Sequence, residues 1–135
     1  TRDIVTSKAE KIVTGRPNFS EDLTIVTSRH HSKEKTSKWV RDNLSLVTNK
    51  CTYLQRGSSI KLCMVADGSA HFYPRRGRTC IWDTAASHSI LNGSGGSLID
   101  LDTKKELSYS ESIYNPEFLA SCWSYKLVQG FLKRK

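Results

Sequence analysis

The chain has 135 residues, with 21 lysines and arginines against 13 aspartates and glutamates, which gives a net charge of +8. This length fits one domain with its own hydrophobic core, and no stretch approaches the roughly 18 consecutive apolar residues of a membrane span. The charge is spread as +4 over residues 1–50, +2 over 51–100 and +2 over 101–135. No DNA or RNA binding is expected, because nucleic-acid binders more often concentrate charge on one element. The spread suits an enzyme for polyanionic small molecules and an ordinary basic surface equally well.

The four cysteines, Cys51, Cys63, Cys80 and Cys122, form no CxxC pair and no zinc-finger spacing. No signal peptide opens the chain. This pattern predicts mostly buried thiols in a cytoplasmic protein rather than a disulfide framework. The start at Thr1 rather than Met is expected of a processed or truncated piece.

Hydrophobic runs alternate with helical patterns along the chain, which predicts an α/β fold. We expect a layered α/β/α domain with a mixed sheet of about five strands and helices on both faces. The segment 114–120 is predicted to be a helical or turn-like closing element. The predicted strands span 23–27, 51–54, 70–73, 97–101 and 107–109, and the predicted helices span 33–43, 60–65 and 85–91.

The first predicted strand ends in a polar turn before a helix, which makes a βα unit. Such turns lie at the carboxyl end of a strand, where open α/β sheets bind ligands. Ser28 and His31 are therefore candidate contacts, because a hydroxyl and an imidazole can both donate hydrogen bonds to a phosphate. The alternative is a solvated turn in which Ser28 or Ser32 caps the helix.

A second βα unit contains Gly57 in its turn and Lys61 in the first turn of its helix. Backbone N–H groups at such a helix start favour an anion, and Lys61 would add a positive charge. The GxxxxGK[ST] spacing of a phosphate-binding P-loop is absent. A plain capped helix explains this pair alone equally well.

Asp83 follows Trp82 and precedes a run of small residues that predicts a helix start. It has two interpretations: a metal ligand at the positive end of a helix, or simply a helix cap. A basic loop with Arg75, Arg76 and Arg78 lies just before it, and we interpret it either as a polyanion contact or as a solvated loop.

The last segment, 122–135, carries several aromatic and aliphatic residues before a basic end. Packing on the domain, or an interface, is the commoner role of such a tail. Peripheral contact with a membrane surface is an alternative that involves no spanning helix.

The order of the motifs adds a family resemblance. Residues 23–120 closely resemble the C-terminal half of the inositol monophosphatase superfamily, and within it the 3'(2'),5'-bisphosphate nucleotidase branch of the bacterial CysQ type. The matching stretches are SRHH at 28–31, GSSIKLC at 57–63, AHFYPR at 70–75, WDTAA at 82–86, GG at 95–96 and NPEF at 115–118. On this basis residues 1–22 form an irregular or edge segment, 23–120 the phosphatase-like domain and 121–135 a basic-ended tail.

The resemblance implies a magnesium-dependent phosphatase that converts adenosine 3',5'-bisphosphate to AMP and phosphate. It implies that Asp83 ligates magnesium and contacts the substrate, and that Ser28, His31, Gly57 and Lys61 contact the nucleotide. A hard cation with oxygen ligands would neutralise phosphate charge, and Lys61 would stabilise the transferring phosphoryl group.

Two departures from the family pattern limit this inference. The family's first half, with its metal-binding glutamate and its Asp-Pro-x-Asp-Gly-Thr signature, is absent from the chain, so the isolated chain is expected to be inactive or nearly so. Ser87 stands where the signature usually carries glycine. The alternatives are a non-catalytic nucleotide-binding remnant or regulatory domain, and an inositol monophosphatase-like enzyme.

Overall fold

The computed structural model describes residues 10–15, 23–28, 33–43, 51–57, 59–110 and 112–133. Within these ranges strands and helices alternate through the first half of the chain. The strands are β1 (Leu23–Ser28), β2 (Cys51–Arg56), β3 (Phe72–Arg75), β4 (Thr79–Cys80), β5 (Ser97–Asp100), β6 (Tyr114–Asn115) and β7 (Phe118–Ser121). The helices are α1 (Lys33–Asn43), α2 (Ile60–Ala66), α3 (Ala85–Gly93) and α4 (Tyr125–Lys133), and a 3-10 turn spans Ile81–Asp83.

Five strands form one mixed sheet in the order β2-β1-β3-β7-β5. β1 is parallel to β2 and β3, whereas β7 is antiparallel to both β3 and β5. A separate two-stranded antiparallel sheet pairs β4 with β6. The predicted mixed sheet of about five strands is confirmed.

Both faces of the sheet are covered. Successive residues of a strand point to opposite faces, and neighbours in β3 contact different elements. The Phe72 ring meets Trp123, just before α4, with ring centroids 5.1 Å apart. The next residue, Tyr73, lies under Lys61 of α2. α2 and α3 also pack against each other, so helical elements occupy both sides.

The segment 114–120 is not the predicted helical or turn-like element. It contains β6 and β7, separated by Pro116 and Glu117. All four residues of β7 are buried, because this strand lies between β3 and β5. The Asn-Pro pair does initiate a turn. The residues that follow form a central strand because they pair with β3 on one edge and β5 on the other, and no local sequence pattern reveals this pairing.

Two further strand predictions need correction. The strand predicted at 107–109 is reduced to a single bridge between Ile99 and Glu106, because the chain then leaves the ladder. The strand predicted at 70–73 begins at Phe72 and runs through Pro74. Proline is tolerated there because β1 pairs with β3 only at Phe72, so the N–H that proline lacks would have no partner on that edge.

The thiol prediction is also partly wrong. No disulfide joins the four cysteines, all of which lie in the described part of the chain, but only Cys122 is buried and the other three are half-buried. Cys51 begins the edge strand β2 and Cys80 lies in the small outer sheet, where less protein covers them. Burial raises the pKa of the Cys122 thiol to about 12, which makes this sulfur unreactive.

The tail packs on the domain, as predicted. Ser97 donates a hydrogen bond to the Trp123 carbonyl at 2.8 Å, and Val128 in α4 is fully buried. Among the described helices, none has the length and apolar character needed to cross a membrane.

Candidate functional site

The carboxyl ends of β1 and β2 bring two of the predicted contacts together. The strands are parallel and in register, so that Ser28 lies opposite Arg56 and Gly57 follows directly. A Cβ atom placed on Gly57 would meet nothing within 4 Å, which leaves open space beside this backbone. His31 lies outside the described residues, so its predicted role stays a prediction.

Lys61 reaches the same edge from the first turn of α2. Its side chain is turned inward, with only 4% exposure. The Nζ atom donates a hydrogen bond to the Arg56 carbonyl at 3.2 Å and lies 5.2 Å from the centroid of the Tyr73 ring. Burial lowers the pKa of Lys61, as does the nearby Arg75 guanidinium, while Asp83 acts in the opposite direction. Lys61 is therefore a partly desolvated cation next to the strand ends.

Asp83 is the last residue of the 3-10 turn, and it is exposed. Its Oδ2 atom accepts a hydrogen bond from the Cys80 N–H at 2.9 Å. The carboxylate therefore caps the 3-10 turn, whereas Thr84 occupies the N-cap position of α3. The predicted cap of the following helix is therefore wrong, because Thr84 takes that position and Asp83 bonds the residue before its own 3-10 turn. The exposed carboxylate remains able to contact a ligand.

Tyr73 and Arg75 complete the site between Lys61 and Asp83. The Arg75 side chain lies beside the Tyr73 hydroxyl, and Asp83 is close enough to act on the same group. Burial is the main reason that the pKa of Tyr73 rises to about 12, so the hydroxyl keeps its proton and can donate a hydrogen bond. We call Lys61, Tyr73, Arg75 and Asp83 the sheet-end cluster.

The three arginines of the basic loop, interpreted either as a polyanion contact or as a solvated loop, have different partners. Arg76 forms an ion pair with Glu117 at 2.8 Å, and the Arg78 guanidinium lies 3.9 Å above the centroid of the Tyr114 ring. Arg75 alone is part of the sheet-end cluster, and its buried Nε atom has no hydrogen-bond partner among the described residues. The sequence motif at 70–75 contained both Tyr73 and Arg75, but only the fold brings Arg75 to the Tyr73 hydroxyl and Tyr73 within reach of the Asp83 charge.

Ser87 is accommodated in α3. It is buried, and its hydroxyl donates a hydrogen bond to the Thr84 carbonyl at 3.3 Å. The serine found in place of the signature glycine therefore fits into the first turn of the helix with its polar atom satisfied.

A magnesium site is not complete in the described part of the chain. No three His, Cys, Asp or Glu side chains come together there in a way that could hold a metal ion. Mg²⁺ prefers six oxygen ligands, usually including one or two carboxylates, and Asp83 offers a single one. Taken by itself, the cluster offers two cationic side chains and one phenol donor, which suit the binding and partial neutralisation of an anion.

The fold and the cluster together define an α/β domain that gathers cationic side chains at the carboxyl ends of parallel strands. The model of the inositol monophosphatase family matches residues 4–127. The chain therefore belongs to the inositol monophosphatase family, which confirms the resemblance seen in the sequence.

Two curated relatives are the 3'(2'),5'-bisphosphate nucleotidases CysQ of Salmonella typhimurium and of Buchnera aphidicola. They are 38% identical over 96 residues and 39% identical over 107 residues. These alignments cover 70% and 76% of this chain but only 37% and 38% of the relatives. The chain thus spans less than two fifths of the length of these relatives.

A solved structure also matches most of this chain with only part of its own length. The crystal structure of CysQ from Bacteroides thetaiotaomicron, described as a bacterial member of the inositol monophosphatase family, matches with a TM-score of 0.72 and 31% identity. The match covers 89% of this chain and 43% of that one. An inositol monophosphatase from Zymomonas mobilis, at 17% identity and a TM-score of 0.62, shares the fold.

Proposed function

We propose that this chain is the C-terminal part of a magnesium-dependent phosphatase that removes the 3'-phosphate from adenosine 3',5'-bisphosphate, leaving AMP. The sheet-end cluster is the observation that carries the proposal. Lys61 and Asp83, chosen from separate sequence motifs, lie close enough for the Asp83 charge to act on Lys61, and Ser28 and Gly57 lie at the same strand ends. Membership of the family and the relatives named as bisphosphate nucleotidases support the same substrate class.

Each residue of the site has a proposed task in binding. Lys61 and Arg75 neutralise phosphate oxygens, which matters more here than in water because Lys61 is desolvated. The Tyr73 hydroxyl donates a hydrogen bond, while Ser28, Gly57 and His31 contact the nucleoside part. Asp83 contributes one oxygen ligand for a cation and a contact to the substrate.

The family is generally metal-dependent, usually on Mg²⁺. Because the described residues do not form a complete site for this ion, we propose that its other ligands and the group that activates water come from the part of the family domain that this chain does not cover. The chain alone is then a binding half, inactive or nearly so, and its partner is the missing N-terminal half.

A first experiment measures binding of AMP to the 135-residue chain by calorimetry. We expect micromolar affinity that falls at least about tenfold in Lys61→Ala, as for loss of a charge-assisted hydrogen bond. Lys38→Ala is the matched control, because Lys38 is an exposed lysine on α1. Equal loss in both variants, with strong salt dependence, would instead indicate a generic basic surface.

A second experiment adds a separately produced N-terminal half from a relative, Mg²⁺ and adenosine 3',5'-bisphosphate, and follows phosphate release. We expect release that depends on both halves and is lost in Asp83→Ala. Absence of release with Asp83 intact, or equal release with Asp83→Ala, contradicts the proposal. Inositol monophosphate, tested side by side, should be the poorer substrate.

The incomplete metal site favours a second candidate, a domain that binds nucleotides without catalysis. The two candidates agree on AMP binding by the chain alone. They differ in the second experiment, because a non-catalytic domain binds AMP with the same dependence on Lys61 but releases no phosphate when the other half is supplied.

A further inference from the structure

A partly buried polar network lies behind the 3-10 turn that carries Asp83. At its centre is His88 in α3, which is only 7% exposed. The His88 Nε2 atom lies 2.8 Å from Glu106 Oε1, and Nδ1 lies 2.9 Å from the Tyr109 hydroxyl. A carboxylate only accepts hydrogen bonds, so Nε2 carries a proton that it donates to Glu106. The Leu98 N–H donates to the same carboxylate oxygen at 3.1 Å.

The network extends from His88 to Thr84, the residue directly after Asp83. Thr84 is 1% exposed. Its Oγ1 atom accepts a hydrogen bond from the Tyr109 hydroxyl at 3.1 Å and another from the Asn115 side-chain amide at 2.9 Å. The Thr84 hydroxyl thus accepts two hydrogen bonds from residues that are distant in the sequence. We call Thr84, His88, Glu106, Tyr109 and Asn115 the Thr84 clamp.

The clamp holds the chain on both sides of Asp83. The Asn115 amide that donates to Thr84 also donates to the Cys80 carbonyl at 2.9 Å. Cys80 is the residue whose N–H binds the Asp83 carboxylate. The residue that precedes the 3-10 turn and the residue that follows it are therefore tied to a single buried side chain.

We propose that the Thr84 clamp positions the Asp83 carboxylate, its members being positioning residues rather than catalytic ones. Apolar side chains of similar volume would fill such a corner at little or no loss of stability, but they would not fix its orientation. The hydrogen bonds of such a network are directional and favour one arrangement. The clamp therefore holds the 3-10 turn at the angle that presents Asp83 to the ligand. In this last point the inference rests on the proposed function.

Thr84 allows a test that separates hydrogen bonding from packing. Thr84→Val keeps the volume and removes the hydroxyl, whereas Thr84→Ser keeps the hydroxyl and removes a methyl group. If Thr84 acts through its hydrogen bonds, valine is the harmful change and serine the tolerated one. If Thr84 only fills space, the order is reversed, since serine leaves a small cavity.

The first readout is amide hydrogen exchange in the 135-residue chain. The Cys80 amide reports the Asp83 carboxylate directly, and the His88 amide, which bonds the Thr84 carbonyl at 2.7 Å, reports the start of α3. We expect Thr84→Val to accelerate exchange at both amides by about fivefold or more, the effect of losing roughly one net hydrogen bond. Amides of β1 should keep their rates, and Thr84→Ser should stay within about twofold of wild type.

The second readout is AMP affinity, expected to fall about fivefold or more in Thr84→Val and to change less than about twofold in Thr84→Ser. Equal exchange in both variants, faster exchange in Thr84→Ser, or a uniform acceleration that includes β1 would overturn the inference. If the wild-type chain binds no AMP, the proposed function fails, whereas the order of the two exchange profiles still decides whether the clamp fixes Asp83.

Discussion

At the scale of single residues, the proposed binding role of Lys61 predicts a cost in stability. Its ammonium group is buried, and burial together with Arg75 lowers its pKa. The Arg56 carbonyl and the Asp83 charge offset part of this desolvation. A lysine in such a place is explained more readily by a ligand than by the fold, because an apolar side chain of equal length would pack there without a charge to desolvate.

We therefore expect Lys61→Met to raise the free energy of unfolding by about 1 kcal/mol at pH 7 while it abolishes AMP binding. Urea titration measures the first effect and calorimetry the second. Lys38→Met, on an exposed position of α1, should change stability by less than about 0.5 kcal/mol. A loss of stability in Lys61→Met would show that the buried ammonium supports the fold.

The lowered pKa of Lys61 predicts that the stability of the domain depends on pH. Since folding lowers the pKa of Lys61 below its ordinary value of 10.5, the unfolded chain binds more protons in the interval between the two values, and stability rises with pH there. The burial penalty is complete below the folded pKa and disappears above 10.5. The stability advantage of Lys61→Met over wild type should thus shrink as the pH approaches 10.5, which urea titrations at successive pH values would reveal. A stability difference between Lys61→Met and wild type that stays constant with pH would contradict the lowered pKa of Lys61.

Gly96, in the GG pair after α3, lies where any side chain would collide with its neighbours. A Cβ atom there would lie 2.5 Å from Leu91 Cδ1 and 2.5 Å from the Ser121 carbonyl oxygen. The second contact is backbone of the central strand β7, which cannot move cheaply. We expect Gly96→Ala to destabilise the domain by about 2–4 kcal/mol in urea titration.

The matched control is Gly93→Ala, three residues earlier at the end of α3. An added Cβ atom there meets nothing within 4 Å, and alanine is the better helix former. The free energy of unfolding of Gly93→Ala should equal that of the wild type or exceed it by up to about 1 kcal/mol. Similar losses in the two variants would mean that the close approach of β7 to Gly96 is not a constraint.

At the scale of elements, local patterns predicted the first half of the chain well. Helix 33–43 was predicted at its observed bounds, and β1, β2 and α2 were predicted within two residues. These elements form consecutive strand–turn–helix units, whose hydrophobic periods and turn residues are local signals. β7 is different, because it is reached through a turn and owes its conformation to β3 and β5 on either side.

The central position of β7 predicts that its side chains contribute strongly to stability. Leu119 is fully buried between two paired strands. We expect Leu119→Ala to lower the free energy of unfolding by about 2–5 kcal/mol, from lost burial and the remaining cavity. Leu127→Ala is the control, because Leu127 in α4 is 61% exposed, and it should change stability by less than about 0.5 kcal/mol. A small effect at Leu119 would indicate that the strand is peripheral.

At the scale of the whole molecule, the sequence identified candidate site residues but not their arrangement. Motifs pointed to Lys61 and Asp83, and the βα turns pointed to Ser28 and Gly57. Tyr73, Arg75 and the Thr84 clamp could not be derived in this way, because their roles depend on contacts between distant segments. Tyr109 is 25 residues from Thr84 and Asn115 is 31 residues away, and no periodicity in the sequence relates them.

The incomplete metal site leads to a prediction for the molecule as a whole. With one carboxylate at the site among the described residues, the chain alone should not hold Mg²⁺, since this ion gives up its water ligands reluctantly. About 5 mM Mg²⁺ should therefore shift the melting temperature of the isolated chain by less than about 1 °C, because only an ion that binds the folded state stabilises it. Scanning fluorimetry or calorimetry with and without EDTA measures the shift.

The complemented protein should behave differently. When the N-terminal half of a relative supplies the remaining ligands, Mg²⁺ should raise the melting temperature by several degrees through its binding energy. Asp83→Asn, which keeps the shape of the side chain and removes its charge, should reduce this shift while leaving the melting temperature without metal nearly unchanged, because Asn can still accept the bond from the Cys80 N–H. Strong stabilisation of the isolated chain by Mg²⁺ would show that a complete site lies within these 135 residues, and that Asp83 does not depend on another segment to bind the metal.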